Sequence, residues 1–239
     1  MKNKIYPSFS EAVADIPDGA TLMMHSFVGP SGIAHNLITA LRDQGAKGLV
    51  VISCNFGGIG GARIKPGFKP FVQPGLLVLN DQVRKAITGW AASIKGDIDP
   101  LEEAMREGRV DVELVPQGIL AEKIRAGGAG LGGFYTTVGV GTIVADGKEK
   151  KVIDGKQYIL ELPLTADYGF VRAWKADRLG NLVYRLVQRS FNPLIATASR
   201  VTIAEIDEIV EPGELAPDEI ITPGVFVDRI VKIPEGAQG

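Results

Sequence analysis

The apolar positions of the first half of the chain switch between two periods. Thr21–Phe27 (TLMMHSF) is an apolar run of strand length, and Leu49–Ser53 (LVVIS) reads as a second, buried strand. Between them Ile33, Leu37, Ile38 and Leu41 recur at helical spacing, and Gly45 supplies a stop. Ahead of both, Ser8-Phe9-Ser10-Glu11 fits a capping box opening a short helix that ends near Ile16–Gly19. The pattern is a β-turn-α-β unit, so the two strands are expected to run parallel.

A Gly/Pro-rich segment from Asn55 to Gly75 follows, and loops this long inside a compact domain tend to be functional or mobile. Leu76–Leu79 and Ala86–Ala92 are apolar stretches of ambiguous type. Leu101–Arg106 behind Asp99-Pro100 predicts a helix, Val110–Val115 (VDVELV) a strand, and Gln117–Arg125 a further helix. The second half is richer in strands. Asp154-Gly155 marks a hairpin inside Lys151–Leu164. Tyr168–Trp174 and Asn181–Tyr184 flank a turn, Phe191–Ala198 reads as helix, and Val201–Ile209 and Val225–Val231 read as strands. A boundary near residues 145–155 and two layers sharing one sheet would look alike in this pattern.

Composition narrows the function classes. The 239 residues carry 26 Lys+Arg against 28 Asp+Glu, a formal net charge of −2, whereas a general nucleic-acid binder is usually strongly basic. One cysteine, Cys54, and two histidines, His25 and His35, leave no internal disulfide, no cysteine-rich metal site and no multi-histidine site; no metal is expected. The start of the chain lacks the apolar core of a signal peptide, and no apolar run reaches the roughly 18 residues that span a bilayer. A cytoplasmic protein with no membrane association is the expectation. Glycine is the outlier: 30 residues, nearly twice the ordinary share of about 7%, clustered in Phe56–Gly67, Gly127–Gly133 and Gly139–Gly147.

Four stretches can carry chemistry. The turn Ser26–Gly32, between a strand and a helix N-terminus, suits an anion, because free backbone N–H groups collect there; a plain βα turn reads the same. Asn55, in Ser53-Cys54-Asn55-Phe56, stands at a strand's carboxyl end, where open α/β sheets bind ligands, or else closes its own turn. Cys54 reads as a buried inert thiol rather than a nucleophile. Gln117, opening a helix after Pro116, offers a neutral amide donor for an oxyanion, or is a surface glutamine. Arg185 and Arg189, near Tyr184 and Phe191, suit a phosphate or a stacked base, or line a solvated edge with Asn192 as a helix cap. Glu113, Glu122, Glu161 and Glu205 lie in regular elements without a telling neighbour. The first βα turn, Ser26–Gly32, is not G-x-G-x-x-G, and no Gly-Lys-[Ser/Thr] occurs, so dinucleotide oxidoreductases and P-loop enzymes are disfavoured.

Glu113–Thr142 (ELVPQGILAEKIRAGGAGLGGFYTTVGVGT) closely resembles the α subunit of family I CoA-transferases, of the 3-oxoacid and acetate type. Tyr158–Glu161, Lys175–Asp177, Gly180–Arg185, Phe191–Pro193, Ile203–Val210 and Thr222–Val225 continue the resemblance in order over nearly the whole chain. It implies an α/β fold, an open mainly parallel sheet with helices on both faces and a strand-rich C-terminal half, built as one domain over residues 1–239. It implies transfer of CoA from an acyl-CoA to a free carboxylic acid, with CoA and acyl-CoA as substrates and no permanent cofactor. The nucleophilic glutamate of such relatives lies on a β subunit in a Ser-Glu-Asn-Gly motif that is missing from this sequence. A β-subunit partner in αβ or α2β2 assemblies is therefore implied. The alternative is a CoA- or nucleotide-binding module without transfer activity.

The resemblance also assigns residues. Gln117 matches a glutamine that helps form the oxyanion hole, and Asn55 an asparagine near the reacting groups. Phe27, Val28, Gly29, Pro30, Ser31 and Gly32 match the loop that lines the acyl pocket or CoA. The sequence departs from the family at His25-Ser26-Phe27-Val28-Gly29, where Gly-Gly-Phe-Gly is common, and at Cys54-Asn55, where Asn-Asn is common. The segment Gly60–Gly75 is longer and more basic, with Arg63, Lys65 and Lys69 either facing substrate or solvated. These departures leave the reaction type in place and put the usual acetoacetate-type substrate in doubt.

Overall fold

The computed structural model describes residues 3–27, 30–57, 59–60, 71–92 and 99–234. Val28, Gly29, Arg63, Lys65 and Lys69 lie outside them. In chain order the elements are α1 (Phe9–Val13), β1 (Thr21–Met24), α2 (His35–Gln44), β2 (Leu49–Ser53), β3 (Ile59–Gly60), β4 (Phe71–Val72), α3 (Gly75–Leu79) and β5 (Val83–Thr88). There follow α4 (Pro100–Arg106), β6 (Asp111–Leu114), α5 (Gln117–Gly128), β7 (Phe134–Thr136), β8 (Lys150–Ile153), β9 (Lys156–Glu161) and β10 (Ala166–Asp177). The last are β11 (Leu182–Val183), α6 (Asn192–Ala198), β12 (Ser199–Val210) and β13 (Arg229–Lys232).

The main sheet has the order β13-β12-β10-β1-β2-β5-β6, all neighbours parallel, with β11 antiparallel to β10. Its central strands β1 and β2 are almost wholly apolar because both faces are covered, while β10 and β12 add the buried Arg172 and Glu205. Leu22 and Met24 point into one core with Val51 and Phe170, beneath Leu37, Leu41 and Leu101; Met23 points into the other with Val50, Ile52 and Val171, beneath Ile119, Ile124 and Ile195. Helices α1–α4 thus cover one face and α5 and α6 the other. The ladder matches Ser53 with Thr88 and Thr88 with Leu114; its one irregularity between β2 and β5 lies at Leu49/Val50, the opposite end. A second sheet, β7-β9-β8, is antiparallel, with its hairpin at Asp154-Gly155.

Helix ends follow local chemistry. The Ser8 side chain accepts from the Glu11 N–H at 3.2 Å, as the capping box predicts. Gly45 closes α2 at φ 87°, a left-handed conformation that a side chain disfavours. The start of α2 is different, for Ala34 has no side chain to cap it. The fully buried Glu205 of β12 does so instead, accepting from the Asn36 and Leu37 N–H groups at 2.9 and 3.0 Å and from Asn36 Nδ2 at 2.8 Å. Arg172 of β10, its register partner, approaches it at 4.0 Å through Nε. The ambiguous run Leu76–Leu79 is helical, and Ala86–Ala92 contributes the end of β5. Both are apolar segments buried over Leu76–Val78 and Ala86–Thr88, in which periodicity alone does not separate the two states.

Candidate functional site

Parallel strands deliver their carboxyl ends to one edge. There the chain leaves β1 at His25-Ser26, β2 at Cys54-Asn55, β5 at Gly89 and β6 at Val115-Pro116-Gln117. Ser26 joins the first two exits. Its hydroxyl lies 2.8 Å from the Ser53 hydroxyl, accepts from the Asn55 N–H at 3.2 Å and donates to the Asn55 carbonyl. Asn55 Nδ2 returns a bond to the Ser26 carbonyl at 2.7 Å. Asn55 thus reaches across to the neighbouring strand rather than closing its own turn, and its amide N–H2 is engaged in holding the edge together.

Cys54 lies between Asn55 in sequence and Gln117 in space. Burial pushes its thiol up to about 11, and the Gln117 amide beside it opposes the rise only in part. At neutral pH the group is a protonated thiol, not a nucleophilic thiolate. Its carbonyl accepts from the Gly89 N–H at 3.2 Å and from Thr88 Oγ1 at 3.1 Å. Gln117 opens α5, half-buried, with its amide against Gly89; its buried Nε2 has no hydrogen-bond partner. A buried amide N–H left unmade costs about 1–3 kcal/mol, so this donor stands ready for an acceptor brought from outside the chain.

The other side of the edge is aromatic. Phe191 stacks on His25 with ring centres 6.2 Å apart and meets Phe27 edge-on at 6.3 Å. Burial holds His25 down at about 4, so its imidazole is neutral at physiological pH, and neither ring nitrogen has a hydrogen-bond partner. Pro30, Ser31 and Gly32 form a single tight turn beside it. A Cβ on Gly32 would fall 2.6 Å from the His25 ring, and the Gly32 carbonyl accepts from Asn192 Nδ2 at 2.9 Å. Asn192 is fully buried rather than a cap. It also donates to the Gln188 carbonyl at 2.9 Å and accepts from the Arg172 N–H at 3.2 Å, tying the turn to β10 and α6.

The carboxylates weighed from sequence are engaged elsewhere. Glu205 caps α2. Glu161 is buried between Lys123 Nζ at 3.4 Å and Lys148 Nζ, binding α5 to the small sheet. Glu113 pairs with Lys85 at 2.8 Å and Glu122 with Arg125 at 3.1 Å. Arg185 lies over the Trp174 ring at 5.6 Å, as does Lys175 at 4.6 Å. Among the described residues no group of three or more His, Cys, Asp or Glu could hold a metal ion, and no helix is long and apolar enough to cross a membrane. Sequence reasoning passed over Thr88, Gly89 and the cross-strand role of Ser26. The available signal for the first two was a glycine directly behind a β-branched residue at the end of an apolar run.

The edge thus offers hydrogen-bond donors and aromatic walls around a neutral floor, with no activated nucleophile among the described residues. Residues 6–233 match the family model described as Coenzyme A transferase. The chain is 47% identical to the A-type subunit of a probable succinyl-CoA:3-ketoacid coenzyme A transferase from Bacillus subtilis (strain 168), covering 95% of this chain and 89% of that one. It is 42% identical to the A-type subunit of a 3-oxoadipate CoA-transferase from Pseudomonas putida, covering 99% and 96%. A solved acyl-CoA transferase from Escherichia coli O157:H7, in its thioester complex with CoA, superposes with a TM-score of 0.82 at 25% identity. That likeness covers 99% of this chain and 48% of the other, so this chain spans about half of that polypeptide.

Proposed function

The chain belongs to the coenzyme A transferase family, and from that premise we propose that it is the α-type subunit of a heteromeric enzyme, a single-domain chain completed by a β-type partner. The reaction moves CoA from an acyl-CoA to a free 3-oxoacid, acetate or related carboxylic acid. The nucleophile is a glutamate of the partner. Its carboxylate attacks the thioester carbonyl and expels CoA thiolate, leaving a mixed anhydride. The thiolate then attacks the glutamyl carbonyl, releases the first acid and leaves a glutamyl-CoA thioester. The acceptor carboxylate retraces the two steps. Each step passes through a tetrahedral oxyanion, and fixed N–H donors aimed at that oxygen lower the barrier.

The observation that carries this reading is the buried, unpartnered Nε2 of Gln117 at the carboxyl edge. In this role Gln117 meets the oxyanion, while Asn55 and Ser26 hold the neighbouring strand ends in place. Phe27, Val28, Gly29, Pro30, Ser31 and Gly32 are assigned to the acyl or CoA side; among them Phe27 packs on Phe191 and Gly32 is held by Asn192. The protonated thiol of Cys54 and the engaged carboxylates support a nucleophile supplied from outside. A CoA ligand asks for a few local cations, which agrees with the near-neutral charge.

The test mixes the chain with its β-type partner, an acyl-CoA and a free acid, and follows formation of the second acyl-CoA. Transfer is expected from the mixture and not from the chain alone. Mass spectrometry of the trapped thioester should find CoA on the partner; a CoA adduct on a side chain of this polypeptide overturns the assignment.

A further inference from the structure

Gly89 lies at the exit of β5, and three facts about it converge. A Cβ built on it would fall 2.2 Å from Gln117 Oε1 and 3.3 Å from the Cys54 carbonyl. Its φ is outside the left-handed region, as no positive value is found there. Backbone conformation therefore does not demand glycine at this position; space does. The third fact is that the floor cannot recede. Thr88, fully buried, donates to the Cys54 carbonyl and is 3.1 Å from the Trp90 carbonyl, the Trp90 N–H returns to its hydroxyl at 3.3 Å, and the Gly89 N–H is fixed to the Cys54 carbonyl.

We infer that Gly89 is a positioning residue: its bare Cα is the seat on which the Gln117 amide rests, and this seat sets where the unpartnered Nε2 points. A methyl group at residue 89 collides with the far end of a flexible side chain, on a backbone held by the hydrogen bonds just described. The side chain yields and the backbone stays. The expected result is a folded subunit whose oxyanion donor is misplaced, which distinguishes the position from glycines that face backbone, such as Gly75 with Gly57 O at 1.6 Å. The inference rests on Gln117 being the oxyanion donor, and it adds which residue aims that donor.

The experiment uses the chain assembled with its β-type partner and compares wild type, Gly89→Ala, Gln117→Ala and the double variant. Gly89→Ala should lower kcat by about 10- to 1,000-fold, the range around loss of one oxyanion-hole donor. KM for acyl-CoA and the melting midpoint should change little, because ground-state binding and packing are retained. In the Gln117→Ala background the added methyl meets no amide, so Gly89→Ala should cost nothing further. The Gln117 side-chain amide resonance should shift in Gly89→Ala whatever the rates do. Wild-type kcat with an unshifted resonance overturns the inference, as does an equal loss from Gly89→Ala in both backgrounds. A shifted resonance with full activity in Gln117→Ala supports the seat and removes Gln117 from the mechanism instead.

Discussion

Replacing Glu205 should uncap α2 and weaken the fold. Its carboxylate accepts three N–H groups, two of them from the first turn of a helix that has no cap of its own, and it faces the fully buried Arg172. Glu205→Ala strands these donors and leaves the Arg172 charge without its inner partner; Asp207, at 2.6 Å, is then the carboxylate that remains. Removing one member of a buried pair costs about 3–5 kcal/mol. At about 2–4 °C per kcal/mol for a chain of this size, the melting midpoint should fall by roughly 6–20 °C at pH 8. Glu205→Gln keeps an acceptor for the helix N–H groups and should fall by less. Burial raises Glu205 to about 7 from an ordinary 4.5, against the pull of Arg172 and of the Leu37 and Asn36 donors. Between those values the folded chain holds a proton that the unfolded chain has released. The proton-linked part of the Glu205 contribution is therefore whole below 4.5 and is lost as pH rises through about 7, which leaves the capping bonds themselves. Thermal melts of wild type and Glu205→Gln across this range isolate it: the advantage of wild type should shrink as pH rises. A Glu205→Ala midpoint within about 2 °C of wild type would refute the capping argument.

Three further outcomes are expected. His25 has the opposite sign, held at about 4 from an ordinary 6.5; its stabilisation is present above 6.5 and lost as pH falls toward 4, so in melts over this range the advantage of wild type over His25→Leu should shrink on acidification, and a parallel pair of curves contradicts the buried neutral imidazole. Gly127→Ala should destabilise by about 1–3 kcal/mol, since its Cβ would meet the Leu164 carbonyl at 2.0 Å, while Gly118→Ala, with nothing within 4 Å, should be neutral or gain up to about 1 kcal/mol; denaturant midpoints decide, and equal shifts would deny the difference in packing. Cys54, buried and raised to about 11, should resist iodoacetamide at pH 8 until the chain unfolds; rapid alkylation of folded protein would contradict a protonated, enclosed thiol.

Much of this architecture is legible from residue order because strands covered on both faces are largely apolar. LVVIS gives β2 at its observed bounds, and the intervening helical period followed by Gly45 gives α2 and the parallel pairing. Local capping by Ser8 and the Asp154-Gly155 hairpin are read equally well, since both depend on neighbours in sequence. Illegible features depend on partners far along the chain. Nothing near Ala34 announces that Glu205, 169 positions from Asn36, will cap its helix. Asn192 reads as a helix cap until the fold surrounds it with Gly32, Gln188 and Arg172. At the site, Gln117 and Asn55 stand out by position. That Asn55 is bound to Ser26, and that Gln117 rests on Gly89, follows only from neighbouring strands ending at matched heights.

That matching has a metric consequence. Ser53, Thr88 and Leu114 are consecutive rungs of one ladder, so the residues that follow them are set apart by the interstrand repeat, about 4.8 Å. The sheet is a ruler for whatever is held across it, graduated by backbone rather than by side chains. Lengthening a loop changes how far a group extends above the rim, not the pitch between neighbours. A shift of pairing would change which residues stand level, and the single such defect between these strands is kept at the far rim, where it leaves the scale undisturbed.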